Sequence, residues 1–150
     1  MREIYLKDGK ALTFRNVIMP WQCDQNAHVN TRFYMEFFDS AAAAFLSLLG
    51  HSMAKAKATG LGWVDAHHEV NYLGEVRDGQ MVTVWTGTRS IGTTSIKYYH
   101  ELYIENSEEP SALCEAVMVH FDLEKRVKKE LPQNIYSASA PFLSDSKHGP

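Results

Sequence analysis

The sequence predicts an α+β domain in which an antiparallel sheet of about five strands wraps one long helix. Three observations lead there. Residues 31–49 carry apolar side chains at helical spacing on more than one face, so this helix must be buried from several sides. Four strand-like segments follow it, separated by short turn signals, and short turns imply antiparallel neighbours. A further strand-like run precedes it.

The first strand is expected over 13–19, Thr-Phe-Arg-Asn-Val-Ile-Met. Pro20 ends it, because proline removes a ladder donor. A loop then runs to about Asn30. Asn30 or Thr31 suits the N-cap, since both side chains accept from the free N–H groups of a first helical turn. In the helix Phe33, Phe37, Phe38, Ala41, Phe45, Leu48 and Leu49 recur at helical spacing. The run Ala41–Ala44 favours helix and lets a sheet approach closely. Gly50 is the expected stop. Residues 51–60 read as a polar connection with room for a helical turn. The later strands are expected over 62–76, 81–90, 94–105 and 111–123, with turns at Arg77-Asp78-Gly79, Ile91-Gly92 and 106–110. Residues 1–132 are expected to form one domain. The Ser-rich tail, 133–150, is expected to be poorly ordered.

The 150 residues suffice for a substantial core. A formal net charge of -3 argues against nucleic acid or an anionic membrane as the main partner, because either needs a basic surface. The N-terminus lacks the apolar core of a signal peptide, and the longest apolar stretch, 41–49, is too short to span a bilayer. The cytoplasm is the expected compartment. Two cysteines, Cys23 and Cys114, are too few for a disulfide scaffold, and neither sits in a catalytic-thiol motif. The seven histidines show no zinc spacing, so no metal site is expected.

The loop at 21–30 carries the chemistry. Asp24 shares it with His28 and Asn30, just before an apolar helix. Free N–H groups and the positive dipole end gather at such a helix start. They can stabilise a developing oxyanion, with Asp24 across from them as base or nucleophile. That layout suits attack on a carbonyl.

Asp24, His28, Val29, Asn30 and Tyr34 also match, in register, the D-x-x-x-H-V-N-x-x-x-Y signature of the 4-hydroxybenzoyl-CoA thioesterase family, which this chain resembles. Weaker similarity extends from about Phe14 to Pro132 and includes Asn71-Tyr72-Leu73, Asp78-Gly79 and Arg89 to Ser95. There are two departures: Gln22 stands where many members have a second Asp, and Ala27 where many have Gly. The resemblance implies the hotdog fold and hydrolysis of an acyl-CoA thioester. It implies no metal or redox cofactor, with coenzyme A entering as part of the substrate. It also implies sites between subunits of a homodimer or homotetramer.

On that reading Asp24 is the catalytic carboxylate, and the Thr31 backbone N–H is the oxyanion donor. Losing one such donor costs about 2.7–4 kcal/mol in the transition state. His28 lines the site or orients water. Asn30 and Tyr34 shape the substrate site. Arg89 and Lys97, flanking the turn at Gly92, are candidates for the coenzyme A phosphates, as is the cluster Arg126, Lys128 and Lys129. His67, Glu69 and Asn71 share one strand face, so Glu69 is a possible second carboxylate. Trp21, Trp63 and Trp85 are expected in the core or an interface, with an aromatic cage for a cationic acyl group as the alternative. Two rival functions remain: a hotdog hydratase or dehydratase pairing His67 or His68 with Glu36 or Asp39, and a non-catalytic acyl-CoA binder.

Overall fold

The computed structural model describes residues 6–144. Among the described residues seven antiparallel strands form one sheet around a central helix. The strands are β1 (Leu6–Lys7), β2 (Lys10–Val17), β3 (Leu61–Tyr72), β4 (Met81–Ile91), β5 (Ser95–Ile104), β6 (Ala112–Asp122) and β7 (Val127–Lys128). Their order is β1-β2-β4-β5-β6-β3, with β7 paired to β6. The five long strands correspond to the expected ones, but β2 lies at Lys10–Val17 rather than 13–19, and β3 ends at Tyr72, so residues 73–76 are loop rather than strand. The two additional strands are two residues each, too short to leave a periodic pattern.

Helix α1 (Thr31–Leu48) buries Tyr34, Phe37, Phe38, Ala41 and Phe45. Phe37 stacks on Phe14 of β2 at 5.2 Å, and Phe38 on His100 of β5 at 5.4 Å. The helix ends as predicted, with Gly50 at φ 81. The connection 51–60 contains a short helix α2 (Met53–Thr59), capped by the Ser52 side chain and closed by Gly60 in the left-handed region. None of its residues is buried. Among the described residues no helix is long and apolar enough to cross a membrane.

The expectation of a poorly ordered tail fails over 133–144. Helix α3 (Asn134–Ser139) and the turn Ala140–Phe142 pack onto the core, where Ile135 and Phe142 are buried. Phe142 meets Phe45 edge-on at 5.3 Å, and the Ser144 N–H donates to Thr88 O at 3.1 Å. The serines mask this in the sequence because two apolar anchors are enough to dock so short a segment. Residues 145–150 of the expected tail lie outside the described residues.

Among the described residues strand β3 lies at the sheet edge, with no strand paired along one of its sides over twelve residues. It runs back along α1. Its C-terminal Tyr72 touches Tyr34 at the helix start, with ring centroids 5.0 Å apart. Its N-terminal Trp63 contacts His51, just beyond the helix end, at 5.7 Å.

Candidate active site

The loop before α1 is a tight turn closed by its own backbone. The Asp24 N–H donates to His28 O at 2.8 Å, and the Ala27 N–H to Asp24 O at 3.0 Å, while Cys23 and Val29 pair as a β-bridge. Ala27 has φ 60, a left-handed conformation that favours glycine. This explains why glycine suits the position, and why alanine there carries strain. Gln22, the other departure, is buried and structural. Its side-chain Oε1 accepts from the Met19 N–H at 2.8 Å, and its carbonyl accepts from the Asn30 N–H at 2.8 Å.

Asp24 is half-buried. Its Oδ1 accepts from the Asn26 N–H at 2.8 Å, an Asx turn that fixes the carboxylate. Its other oxygen makes no hydrogen bond among the described residues. Asn30 is the N-cap of α1: its Oδ1 accepts from the Arg32 N–H at 3.1 Å, and its carbonyl from the Phe33 N–H at 2.9 Å. That leaves the Thr31 N–H with no acceptor among the described residues. A free donor at a helix N-terminus is the group an oxyanion needs.

Asp24, His28, Thr31 and Tyr34 line one open pocket of about 350 Å³ together with Tyr72, Gly74 and Glu75. Four of the expected site residues therefore converge, and Asn30 holds them from behind. Tyr34 serves two ends. Its ring belongs to the core, and burial, with Tyr72 and Cys23 nearby, pushes its hydroxyl up to about 12. At neutral pH it is a fixed wall rather than a proton carrier.

His28 faces away from a simple pairing with Asp24: its Nε2 lies 3.2 Å from Glu75 Oε2. Arg77 donates to the same oxygen at 2.8 Å. The Arg77 hydrogen bond and the charge of His28 hold the Glu75 carboxyl below its usual range. Sequence reasoning missed Glu75 and Arg77, because they reach the site from the β3–β4 loop, 51 residues beyond Asp24 in the case of Glu75.

Arg89 and Lys97 do not line this pocket. Arg89 lies at a register shift in β4 and crosses the Tyr99 ring at 3.6 Å to fork onto Glu115, with Nη2 to Oε1 at 2.6 Å. A phosphate there would have to displace Glu115. Lys97 is exposed. Glu69 is exposed and bonds Asn71 at 3.4 Å. Trp21 is 67% exposed, so it is not a core residue of the single chain. Cys114 is buried, and burial together with Glu115 pushes its thiol up to about 12, which makes it inert.

Helix and strand also bring together residues with no sequence spacing in common. Ligand atoms of Asp39, Asp65 and His68 lie within 4.8 Å of one another. This joins two of the residues weighed for a hydratase, Asp39 and His68, at a place that shares no lining residue with the Asp24 pocket.

The model of the thioesterase-like superfamily matches residues 18–139. A betainyl-CoA thioesterase of Pseudomonas aeruginosa is 27% identical over 112 residues, covering 75% of this chain and 70% of that protein. Among solved structures, a hypothetical protein of Staphylococcus aureus in complex with CoA superposes with TM-score 0.83 at 17% identity, over 94% of this chain and 90% of that one. A 1,4-dihydroxy-2-naphthoyl-CoA thioesterase of Synechocystis superposes with TM-score 0.76 at 17% identity, over 92% and 98%. These likenesses carry the hotdog fold.

Proposed function

The chain belongs to the thioesterase-like superfamily and is a thioester hydrolase, and on that premise we propose that it cleaves an acyl-CoA thioester with Asp24 as the catalytic carboxylate. The observation that carries this reading is one pocket holding both halves of the chemistry: a carboxylate oxygen and a helix-start N–H, neither with a partner among the described residues. Asp24 takes a proton from water as that water attacks the thioester carbon, or attacks the carbon itself and forms a mixed anhydride that water then opens. The tetrahedral oxyanion is held by the Thr31 N–H. Collapse breaks the C–S bond; coenzyme A leaves as a thiol with the proton taken from water, or, on the anhydride route, as a thiolate that gains its proton from the water that opens the anhydride. The substrates for which two relatives are named, betainyl-CoA and a 1,4-dihydroxy-2-naphthoyl-CoA, and the CoA complex of the Staphylococcus aureus protein support a coenzyme A thioester.

The working unit is a dimer or a larger assembly built on it. The free β3 edge runs beside the Asp24 pocket, and a second copy pairing there would cover it and close the pocket. The test is thiol release from a panel of short, long, aromatic and cationic acyl-CoA esters by the purified protein. Saturable turnover on one class is expected. Binding of coenzyme A without release of thiol would favour the acyl-CoA binder, and water addition to an enoyl-CoA without thiol release would favour the hydratase.

A further inference from the structure

A pocket of about 190 Å³ lies between α2, the first residues of β3 and the end of β6. It takes no residue from the central helix α1 and shares none with the Asp24 pocket. Trp63 on its wall and Tyr72 in the Asp24 pocket stand nine residues apart on β3, or roughly 30 Å at 3.3 Å per residue. The thioester chemistry makes no use of this place.

The pocket gathers basic groups and no acidic ones. His51, Lys55 and His120 line it, and among the described residues no Asp or Glu does. Lys55, exposed on α2, donates from Nζ to Gly50 O at 3.0 Å rather than to a carboxylate. His120 is 5% exposed, and its Nδ1 donates to Glu130 O at 2.7 Å, which fixes the ring. Trp63 touches both imidazoles, with ring centroids 5.7 Å from His51 and 5.1 Å from His120. Leu61 and Pro132 add apolar wall.

His51 marks the place of a missing partner. It is 7% exposed, yet its Nε2 has no hydrogen-bond partner, whereas buried polar atoms are normally paired. Burial, and then the charge of Lys55, hold its imidazole below its usual range; His120 acts in the same direction, and the Asn134 side chain of α3 offsets part of this. Three basic groups thus crowd one pocket with no anion between them, and an anion there would favour the charged form of each. The apolar walls select among anions. Phosphate is charged on every side, whereas a carboxylate on a short hydrocarbon sets its charge on the basic groups and its chain on Trp63, Leu61 and Pro132. Sites for drug-sized ligands run to about 300–1,000 Å³, so the occupant here is smaller.

We propose that the pocket between α2, β3 and β6 binds a small organic carboxylate, with its charge on Lys55 and His51 and its hydrocarbon against Trp63. Binding takes up a proton at His51, because the anion favours the imidazolium. No covalent bond is made or broken. The site is separate from Asp24, and the inference stands whether or not the thioester reading does.

The test titrates the full chain by calorimetry with propionate, pentanoate and benzoate, against neutral pentanamide and inorganic phosphate, at several pH values above 6.5 and fixed ionic strength. At least one carboxylate should bind, with a Kd that rises with pH by up to about tenfold per unit, the signature of one proton taken up. Lys55→Met, on a helix with no buried residue, should weaken binding about tenfold or more, the scale of a charge-assisted hydrogen bond. His51→Gln should abolish the pH dependence. Asp24→Asn should bind as wild type does, which separates this site from an acid product held at the thioester site. No binding of any of the three carboxylates would overturn the proposal. So would equal binding of pentanamide, tighter binding of phosphate, a pH-independent Kd, or an unaltered Kd in Lys55→Met.

Discussion

Acidification from pH 7 to pH 5 should remove about 2 kcal/mol of stability through His100. Its ring is 1% exposed, stacked on Phe38 and met edge-on by Tyr98 at 5.1 Å. Its Nδ1 lies 2.7 Å from Thr86 Oγ1, which in turn lies 2.7 Å from Thr13 Oγ1. Burial, with a further contribution from His68, pushes its pKa from 6.5 down to about 3. Between those values the unfolded chain binds a proton that the folded chain refuses, so stability falls as the pH drops, until about pH 3. At pH 5 the unfolded histidine is roughly 1.5 units below its pKa, and each unit is worth about 1.4 kcal/mol. The same loss should lower Tm by about 4–8 °C in a chain of this size. Glu75 and Asp122 have lowered carboxyl pKa values, so their losses fall at lower pH. His51, lowered as well, adds in the same direction. Urea unfolding at pH 7, 6 and 5 checks this for wild type and His100→Gln. The variant should start less stable but lose about 2 kcal/mol less across the range. An equal slope in both proteins would refute the assignment to His100.

Three further substitutions probe the site and its support. Ala27→Gly should raise stability by about 0.5–1 kcal/mol, because it relieves a left-handed alanine at the cost of a freer unfolded chain, and a lowered urea midpoint would contradict this. Asn30→Ala should cost about 1 kcal/mol by exposing the Arg32 N–H, and should lower kcat as the helix start loosens. Asn30→Asp, which keeps the cap, should restore the stability, and an unchanged unfolding midpoint in Asn30→Ala would count against the cap. Gly87→Ala would set a Cβ 2.6 Å from the Tyr99 hydroxyl, whose ring is pinned by Arg89, so a loss of about 1–3 kcal/mol should appear in thermal unfolding. A wild-type Tm would show that Tyr99 moves freely.

The elements that periodicity describes were legible in the sequence. The expected helix at 31–49 is Thr31–Leu48, and the strand expected at 81–90 is Met81–Ile91. What escaped was held by tertiary contact: α3 is anchored by Ile135 and Phe142 amid serines, and β7 is a two-residue addition to β6. The site divides the same way. Asp24, His28, Thr31 and Tyr34 lie within one turn and one helical start, so local reasoning could gather them. Glu75 enters from a distant loop, and Asp39 meets Asp65 only because β3 runs back along α1. Arg89 read as a free cation because nothing local shows Glu115 waiting across β5.

The central claim is that Asp24 acts on the thioester, and the most direct measurement is kcat for Asp24→Asn against wild type on the best acyl-CoA, with coenzyme A affinity measured alongside. The account predicts a fall of about 10²–10⁴-fold in kcat with affinity little changed. Turnover by Asp24→Asn within a few-fold of wild type would contradict it and shift the search to the other carboxylate that lines the pocket, Glu75.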